Sequence, residues 1–420
     1  MRSTSSNPAG DPRLHADAGF VAEALLPLSG SASGQHFELL ARGFVRGIMK
    51  ALVETVGHVS FPSLYRSVNA LEADPDYRNA LLDAMAASAF EDVRTCGAMI
   101  ATKMEETPKE FSGVMGTIHN HLAFLADPVL RAMLEQPDFS LEDFTDPARS
   151  VSAFINIPIE YVGILSSLLR VMFTVTDLYK SRAPSSPRVT MVVDEAGQLG
   201  KFEGLVRGFS FGRGSGLRVI AIFQDLAQIA RNYDPKAVQT FMGSAQLRMF
   251  VGVRDPETAA FVSNMAGYET LSFDDRLAQE GARRQQWEAA RRYMDGGDPL
   301  AAAFDIEHYA QAARNRTKMQ RALIAPDEAL ALGDREMIAF LSGLDLPPLR
   351  AAKLPYWEQR DLNGYWLPNP FHPPLDRVRL RGRWRDYWAD VVTQDVPPDL
   401  AQYPQFQSGR VSYVAGHRPW

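Results

Sequence analysis

The stretch Arg188-Val-Thr-Met-Val-Val-Asp-Glu-Ala-Gly197 limits the fold more than any other part of this 420-residue chain. A β-branched apolar run from Val189 to Val193 stops at two adjacent carboxylates, Asp194 and Glu195. Such a run is expected to be a buried parallel strand that delivers its acids to the carboxyl edge of a sheet, where open α/β folds bind ligands. Beyond it, Phe202, Leu205, Val206 and Phe209 recur at helical spacing, and Gly212-Arg213-Gly214-Ser215-Gly216 is expected to break the helix. A second apolar run, Leu217 to Phe223, then ends in Gln224-Asp225. Strand, helix and strand within about 35 residues imply two parallel neighbours joined by a right-handed crossover.

That topology sends Gln224 out at the same edge as Asp194 and Glu195. Two carboxylates there suit a Walker B pair, in which Asp194 holds a magnesium ion through water and Glu195 orients or deprotonates an attacking water. They equally suit a strand followed by a helix N-terminus, which favours acids. Gln224 is placed to sense a γ-phosphate or to end its strand in a polar group. Arg213 belongs to the opposite edge, and a strand of seven residues spans roughly 20 Å, so it reaches a nucleotide only on a neighbouring subunit, as an arginine finger in trans does. Otherwise it is a loop arginine at a glycine-rich turn.

Read together, Val193-Asp-Glu-Ala-Gly-Gln-Leu-Gly-Lys201, Arg213-Gly-Ser-Gly-Leu-Arg-Val-Ile-Ala-Ile-Phe-Gln-Asp-Leu-Ala-Gln228 and Phe250-Val-Gly-Val-Arg-Asp-Pro-Glu-Thr-Ala259 resemble the conjugative coupling proteins of type IV secretion systems, the TraG/TraD family. Arg321 to Ala329 resembles the family's late helix start and Pro348 to Tyr356 its closing strand, so the likeness runs to about residue 365. It implies an α/β fold, a RecA-like P-loop ATPase core with a mostly parallel sheet and an all-α insertion domain. It also implies ATP and Mg2+ as cofactors, a homo-hexameric ring, and partners that include DNA, relaxosome proteins and the secretion channel at the cytoplasmic face of the bacterial inner membrane. Asp194 and Glu195 match the family's Walker B acids, Arg213 its arginine finger and Gln224 its glutamine motif.

Two departures from the family are visible. The chain holds no G-x-x-x-x-G-K-[ST] phosphate loop; the nearest stretch, Gly30-Ser-Ala-Ser-Gly-Gln-His36, lacks the lysine and is expected to be a flexible loop. The sequence is therefore expected to begin after the first βαβ unit of such an ATPase, either acting with a loop supplied from elsewhere or serving as a non-hydrolysing docking module. The opening Met1 to Pro12 is polar and rich in turn formers rather than a secretory signal. Ile159 to Tyr179 is apolar but carries Glu160, Arg170 and Asp177, which favour a buried core helix over a membrane span. Membrane association is then expected through partners or a missing segment. A net charge of −6 excludes a wholly cationic nucleic-acid coat, and the single cysteine, Cys96, excludes an intrachain disulfide.

The remaining organisation is expected as an N-terminal segment (1–36), an all-α domain (37–140), the ATPase core (141–270), a charged linker or loop (271–320), the end of the core (321–365) and an Arg/aromatic tail (366–420). In the helical block Phe37, Leu40, Phe44, Ile48 and Leu52 share a face, and Thr107-Pro108 makes an N-cap and N1 pair. His119 and His121, two residues apart on a helix, point in different directions and are expected as ordinary surface or core histidines. Val151 to Ile157 is expected as a strand. Residues 270–318 form a solvated helix, a mobile linker or a DNA-contacting loop. In the tail, Arg377, Arg379, Arg381, Arg383 and Arg385 alternate with Val378, Leu380, Gly382 and Trp384. As one strand this puts five guanidiniums on one face, to track a phosphate backbone, blunt a sheet edge or dock an acidic partner.

Overall fold

A computed structural model describes residues 13–29, 32–135, 139–314, 316–403, 406 and 408–418. The chain divides into two compact units, Met1–Ala245 and Gln246–Trp420. The polar opening from Met1 to Pro12 lies outside the described residues, as do Gly30 and Ser31 of the expected glycine loop.

The first unit opens with seven helices: α1 (Leu14–Leu25), α2 (Ala32–Val56), α3 (Phe61–Ala73), α4 (Pro75–Ala86), α5 (Glu91–Glu106), α6 (Pro108–Leu122) and α7 (Pro128–Glu135). The apolar face read from the sequence is the one buried, with Phe44, Ile48 and Leu52 of α2 meeting Val114, Met115 and Ile118 of α6 in one core. Ala32 to His36, expected as a flexible loop, instead form the first turns of α2. The extension is held by tertiary contacts that local pattern does not reveal: His36 pairs with Glu110 of α6 at 2.7 Å, and the Ser29 amide donates to Glu38 at 3.0 Å. Gly113 makes the approach possible, since a Cβ there would meet the Phe37 ring at 2.8 Å. Thr107 does stand at the N-cap of α6, but its hydroxyl donates back to Lys103 and makes no cap bond. His119 pairs with Glu72, while burial lowers the pKa of His121 and keeps its ring neutral.

Glu110 also accepts from Lys103 at 2.8 Å, and that bond, followed by the one from His36, pulls its pKa down to about 2. A carboxylate with a depressed folded-state pKa contributes stability above its ordinary pKa and loses it as pH falls toward the folded value. The α2–α6 contact is therefore expected to weaken between about pH 4.5 and 2. In Glu110→Gln that segment of the acid-denaturation curve should flatten; an unchanged curve would assign the acid loss elsewhere.

From Val151 to Pro158 the backbone forms no regular element, so the strand expected there is absent, and Phe154 is 85% exposed. An apolar β-branched run becomes a strand only beside a partner ladder, and none of the described strands offers one. The long apolar helix follows as α8 (Ile159–Arg182), then β1 (Val189–Val193), α9 (Glu203–Ser215), β2 (Leu217–Ala221), α10 (Leu226–Asn232) and α11 (Pro235–Ser244). By length and composition α8 could cross a membrane. In the fold it packs against α1, α9 and the turn after β1, with Leu165, Val171 and Phe173 buried. Lys180, fully buried, donates to the carbonyls of Ala183, Pro184 and Ser186 and to the Ser186 hydroxyl. It thereby satisfies the helix end and turns the chain into β1.

The glycine-rich segment Gly212–Gly216 ends α9 as expected, at its last residue. The helix runs to Ser215, and Gly216 ends it at φ +84, a left-handed conformation open to a residue without a Cβ. Gly212 is instead buried against Leu217, where its lack of a side chain lets helix and strand touch.

The second unit contains β3 (Leu247–Val251), α12 (Pro256–Ala266), β4 (Tyr268–Phe273), α13 (Arg276–Met294), α14 (Pro299–Ala312), β5 (Thr317–Ala322), α15 (Pro326–Leu330), β6 (Glu336–Leu341), β7 (Leu349–Ala352), β8 (Arg377–Leu380), β9 (Tyr387–Asp395) and β10 (Arg410–Val414). Its described ladders, β3–β6–β7, β4–β5 and β8–β9–β10, all run antiparallel. The parallel pairing expected of the core is found at β1–β2, where a helix carries the chain back across the sheet; β6 and β7 are joined by a reversal too short for that crossover. The expected charged linker is a helical hairpin, α13 and α14, rising from the β4–β5 ribbon. The tail differs from expectation: only Arg377 to Leu380 is strand, with Val378 and Leu380 buried, and Arg381, Arg383 and Arg385 follow in irregular backbone. Five guanidiniums therefore do not share one strand face, because the Gly382 turn brings the chain back into β9 after four residues.

Candidate functional site

β1 and β2 pair in parallel, Val189 opposite Leu217 through Val193 opposite Ala221. The ladder continues past the strands: the Ile222 amide donates to Val193 at 3.0 Å and the Ala196 amide to Ile222 at 2.9 Å. Both chains thus leave the sheet together at its carboxyl edge. Gln224 Nε2 donates to Glu195 Oε2 at 3.1 Å, so the acid and the amide expected at one rim are in direct contact.

Glu195 stands at φ 52, ψ 43, in the left-handed region and without the glycine that usually occupies it. For a residue with a Cβ this costs about 1–2 kcal/mol. Its amide is taken by Asp194 Oδ1 at 3.1 Å, and a 3-10 turn, Ala196–Leu199, begins immediately after it. Asp194 is exposed to solvent and Glu195 half-buried.

Beneath this edge lies a clamp that the sequence did not reveal. Gln228, on α10, is buried and its Oε1 accepts the Gln224 amide at 3.1 Å. Asp225 caps α10 by accepting the Gln228 amide at 2.6 Å, and Asn232 donates to the Gly197 carbonyl at 2.6 Å. A Cβ on Gly197 would lie 2.0 Å from Gln228 Cδ, so only glycine admits the clamp. Arg170 of α8 holds the far end of the same turn. Buried at 4% exposure, it donates to the carbonyls of Leu199 (2.8 Å) and Ala24 (2.9 Å) and to the hydroxyls of Ser167 and Ser166. Desolvation lowers its pKa to about 10, which leaves it cationic at neutral pH. Its place in the apolar middle of α8 was the available signal, read from sequence, with Glu160 and Asp177, only as evidence that α8 is not a membrane span.

Arg213 is in the last turn of α9, exposed, with no carboxylate partner among the described residues. It precedes β2, whereas Gln224 follows it, a separation of roughly 20 Å along the strand. The structure therefore brings together Asp194, Glu195 and Gln224 and keeps Arg213 apart. In the tail, Arg377 stacks its guanidinium 5.1 Å from the Trp388 ring centre, Arg379 pairs with Asp386 at 3.2 Å, and Arg381 donates to the Glu358 carbonyl.

Magnesium binding asks little of a protein here, since the ion keeps most of its water and takes phosphate oxygens beside one or two carboxylates. The exposed Asp194 carboxylate beside Glu195 meets that requirement.

An acid pair leaving one strand of a parallel pair and an amide leaving the other, with a helix as crossover, define an α/β fold. Solved structures of the bacterial conjugative coupling protein TrwBdeltaN70 have the same fold: the unbound monoclinic form superposes with a TM-score of 0.57 at 18% identity, covering 80% of this chain and 68% of that one. TrwB has also been solved in complex with ADP and Mg2+, with a TM-score of 0.57 against this chain at 18% identity, covering 81% and 68%. The chain belongs to the family of type IV secretory system conjugative DNA transfer proteins, whose model matches residues 10–294. Curated relatives include the conjugal transfer protein TraG of Agrobacterium fabrum (strain C58 / ATCC 33970), 24% identical over 307 residues, 72% of this chain and 42% of that protein. Protein VirD4 of Rhizobium rhizogenes is 24% identical over 241 residues, 56% of this chain and 31% of its own. The chain thus spans less than half the length of these relatives.

Proposed function

We propose that this chain forms part of a conjugative coupling protein that uses ATP hydrolysis in a hexameric ring to recruit and move DNA, or a relaxase bound to DNA, into a type IV secretion channel. The contact between Gln224 and Glu195 at the carboxyl edge of β1–β2 carries this reading, because the amide fixes one carboxylate oxygen of Glu195 and leaves the other to accept a proton from an attacking water. Asp194 is the residue to hold Mg2+, which when bound draws charge from the transferring phosphate. Glu195 takes the proton of the attacking water, and Gln224 holds the Glu195 carboxylate in place while sensing the terminal phosphate. Arg213, exposed at the opposite edge, serves the neighbouring subunit's nucleotide. The coupling role puts the chain at the cytoplasmic face of the inner membrane through partner proteins or a further segment. Arg377, Arg379, Arg381, Arg383 and Arg385, with Trp388, supply a nucleic-acid contact in this reading.

Hydrolysis also needs a lysine-bearing phosphate loop, and residues 1–420 contain none. That observation supports a second reading, a docking module that binds relaxosome proteins through α2 to α7 without turning over nucleotide. Arg213→Ala separates the two. In the motor reading the substitution removes turnover by about 10³-fold or more in assembled rings and leaves the melting temperature of the monomer unchanged. A comparable loss of monomer stability would make Arg213 a structural residue, unchanged turnover would remove its finger role, and absence of turnover in the parent assembly would leave the docking role.

A further inference from the structure

We propose that the solvent face of α13 is a binding surface for single-stranded nucleic acid. On a helix of 3.6 residues per turn, Arg276, Arg283, Arg284, Trp287 and Arg291 fall within a sector of about 100°. Ala282 and Ala289 lie on the opposite side, buried where α13 packs on α14. The stripe therefore faces away from its partner helix.

Its chemistry is selective. Arg276, Arg283 and Arg284 are exposed and have no carboxylate partner among the described residues, and Arg291 reaches Asp295 only at 4.0 Å. Glu280 is the one acid inside the sector, so the stripe keeps a net positive charge. Trp287 stands in its middle with 77% of its surface exposed. An indole held among guanidiniums gains by stacking on a base whose phosphates those guanidiniums neutralise. In a duplex the bases are already stacked, so the partner that uses both features is a single strand. Arg276 and Arg291 are about 22 Å apart along the axis, enough for a strand of several nucleotides. The inference rests on the DNA-transfer reading for its choice of partner, and on the helix alone for its location.

The test measures anisotropy of a fluorescein-labelled single-stranded oligonucleotide with the full chain across a salt series. Arg283→Gln with Arg284→Gln should lower the slope of log affinity against log salt by about 1.4. Trp287→Ala should weaken binding about ten-fold with the slope unchanged, and Trp287→Phe should restore most of it. All these positions are exposed, and circular dichroism melts should coincide with the parent. Binding lost in Arg377→Gln with Arg379→Gln but retained in the α13 variants would overturn the assignment to α13 while leaving the DNA-transfer reading in place. Absence of any nucleic-acid binding by the parent would remove both. Equal affinity for duplex with no effect of Trp287→Ala, or binding only to polyglutamate or anionic vesicles, would overturn the single-strand partner.

Discussion

Glu195→Gly is expected to leave the fold as stable as the parent, within about 1 kcal/mol, and, in the proposed motor, to lower ATP turnover by about 10²–10⁴-fold. The two effects have separate origins. Glu195 occupies left-handed backbone, and relief of roughly 1–2 kcal/mol on removing its Cβ is offset by about 0.5–1 kcal/mol of added freedom in the unfolded chain. The bond to Gln224 is also lost, but at an exposed edge that costs little. Ordinary structural residues lose stability when truncated, so a residue that loses only activity is one whose strain serves the site. Urea melts of the chain and turnover of the proposed assembly give the two numbers. A stability loss above about 2 kcal/mol would mean that the Glu195 side chain holds the turn together, and the catalytic assignment would then fail.

Arg170→Met is expected to destabilise the first unit by about 3 kcal/mol. The guanidinium is the donor for the carbonyls of Ala24 and Leu199, both buried residues, and each acceptor left without a partner costs about 1–3 kcal/mol. Methionine fills much of the space and isolates the polar loss from a cavity effect. Arg170→Lys should recover only part, because one ammonium cannot reach across the planar spread of a guanidinium that also serves Ser166 and Ser167. A change below about 1 kcal/mol in urea unfolding would show that water replaces the guanidinium, and that the end of the Ala196–Leu199 turn needs no anchor from α8.

Much of the motif was legible because strand, crossover helix and strand are specified by local pattern. Val189 to Val193 and Leu217 to Ala221 pair in the expected direction, and the residues just past them, Glu195 and Gln224, meet. Helix limits set by distant contacts were not legible. Ala32 to His36 look like a loop until Glu110 stands across from His36. Val151 to Ile157 look like a strand until the absence of a neighbouring ladder is seen. The segment Gly212–Gly216 does stop α9, but which glycine does it was not legible: Gly216 is the stop, and Gly212 is where α9 meets Leu217. The alternating arginines of the tail satisfied a period of two but not the requirement for a strand long enough to use it.

The strand–helix–strand order from Val189 to Ala221, the acids at a strand end and the family follow from the sequence by itself, because periodicity and short motifs act over a few residues. Only tertiary structure decided that Glu195 is strained, that Gln228 fills the space above Gly197, and that a buried arginine ties α8 to the turn behind the acids. These depend on which atoms from distant parts of the chain come to share one small volume, and no local pattern encodes that.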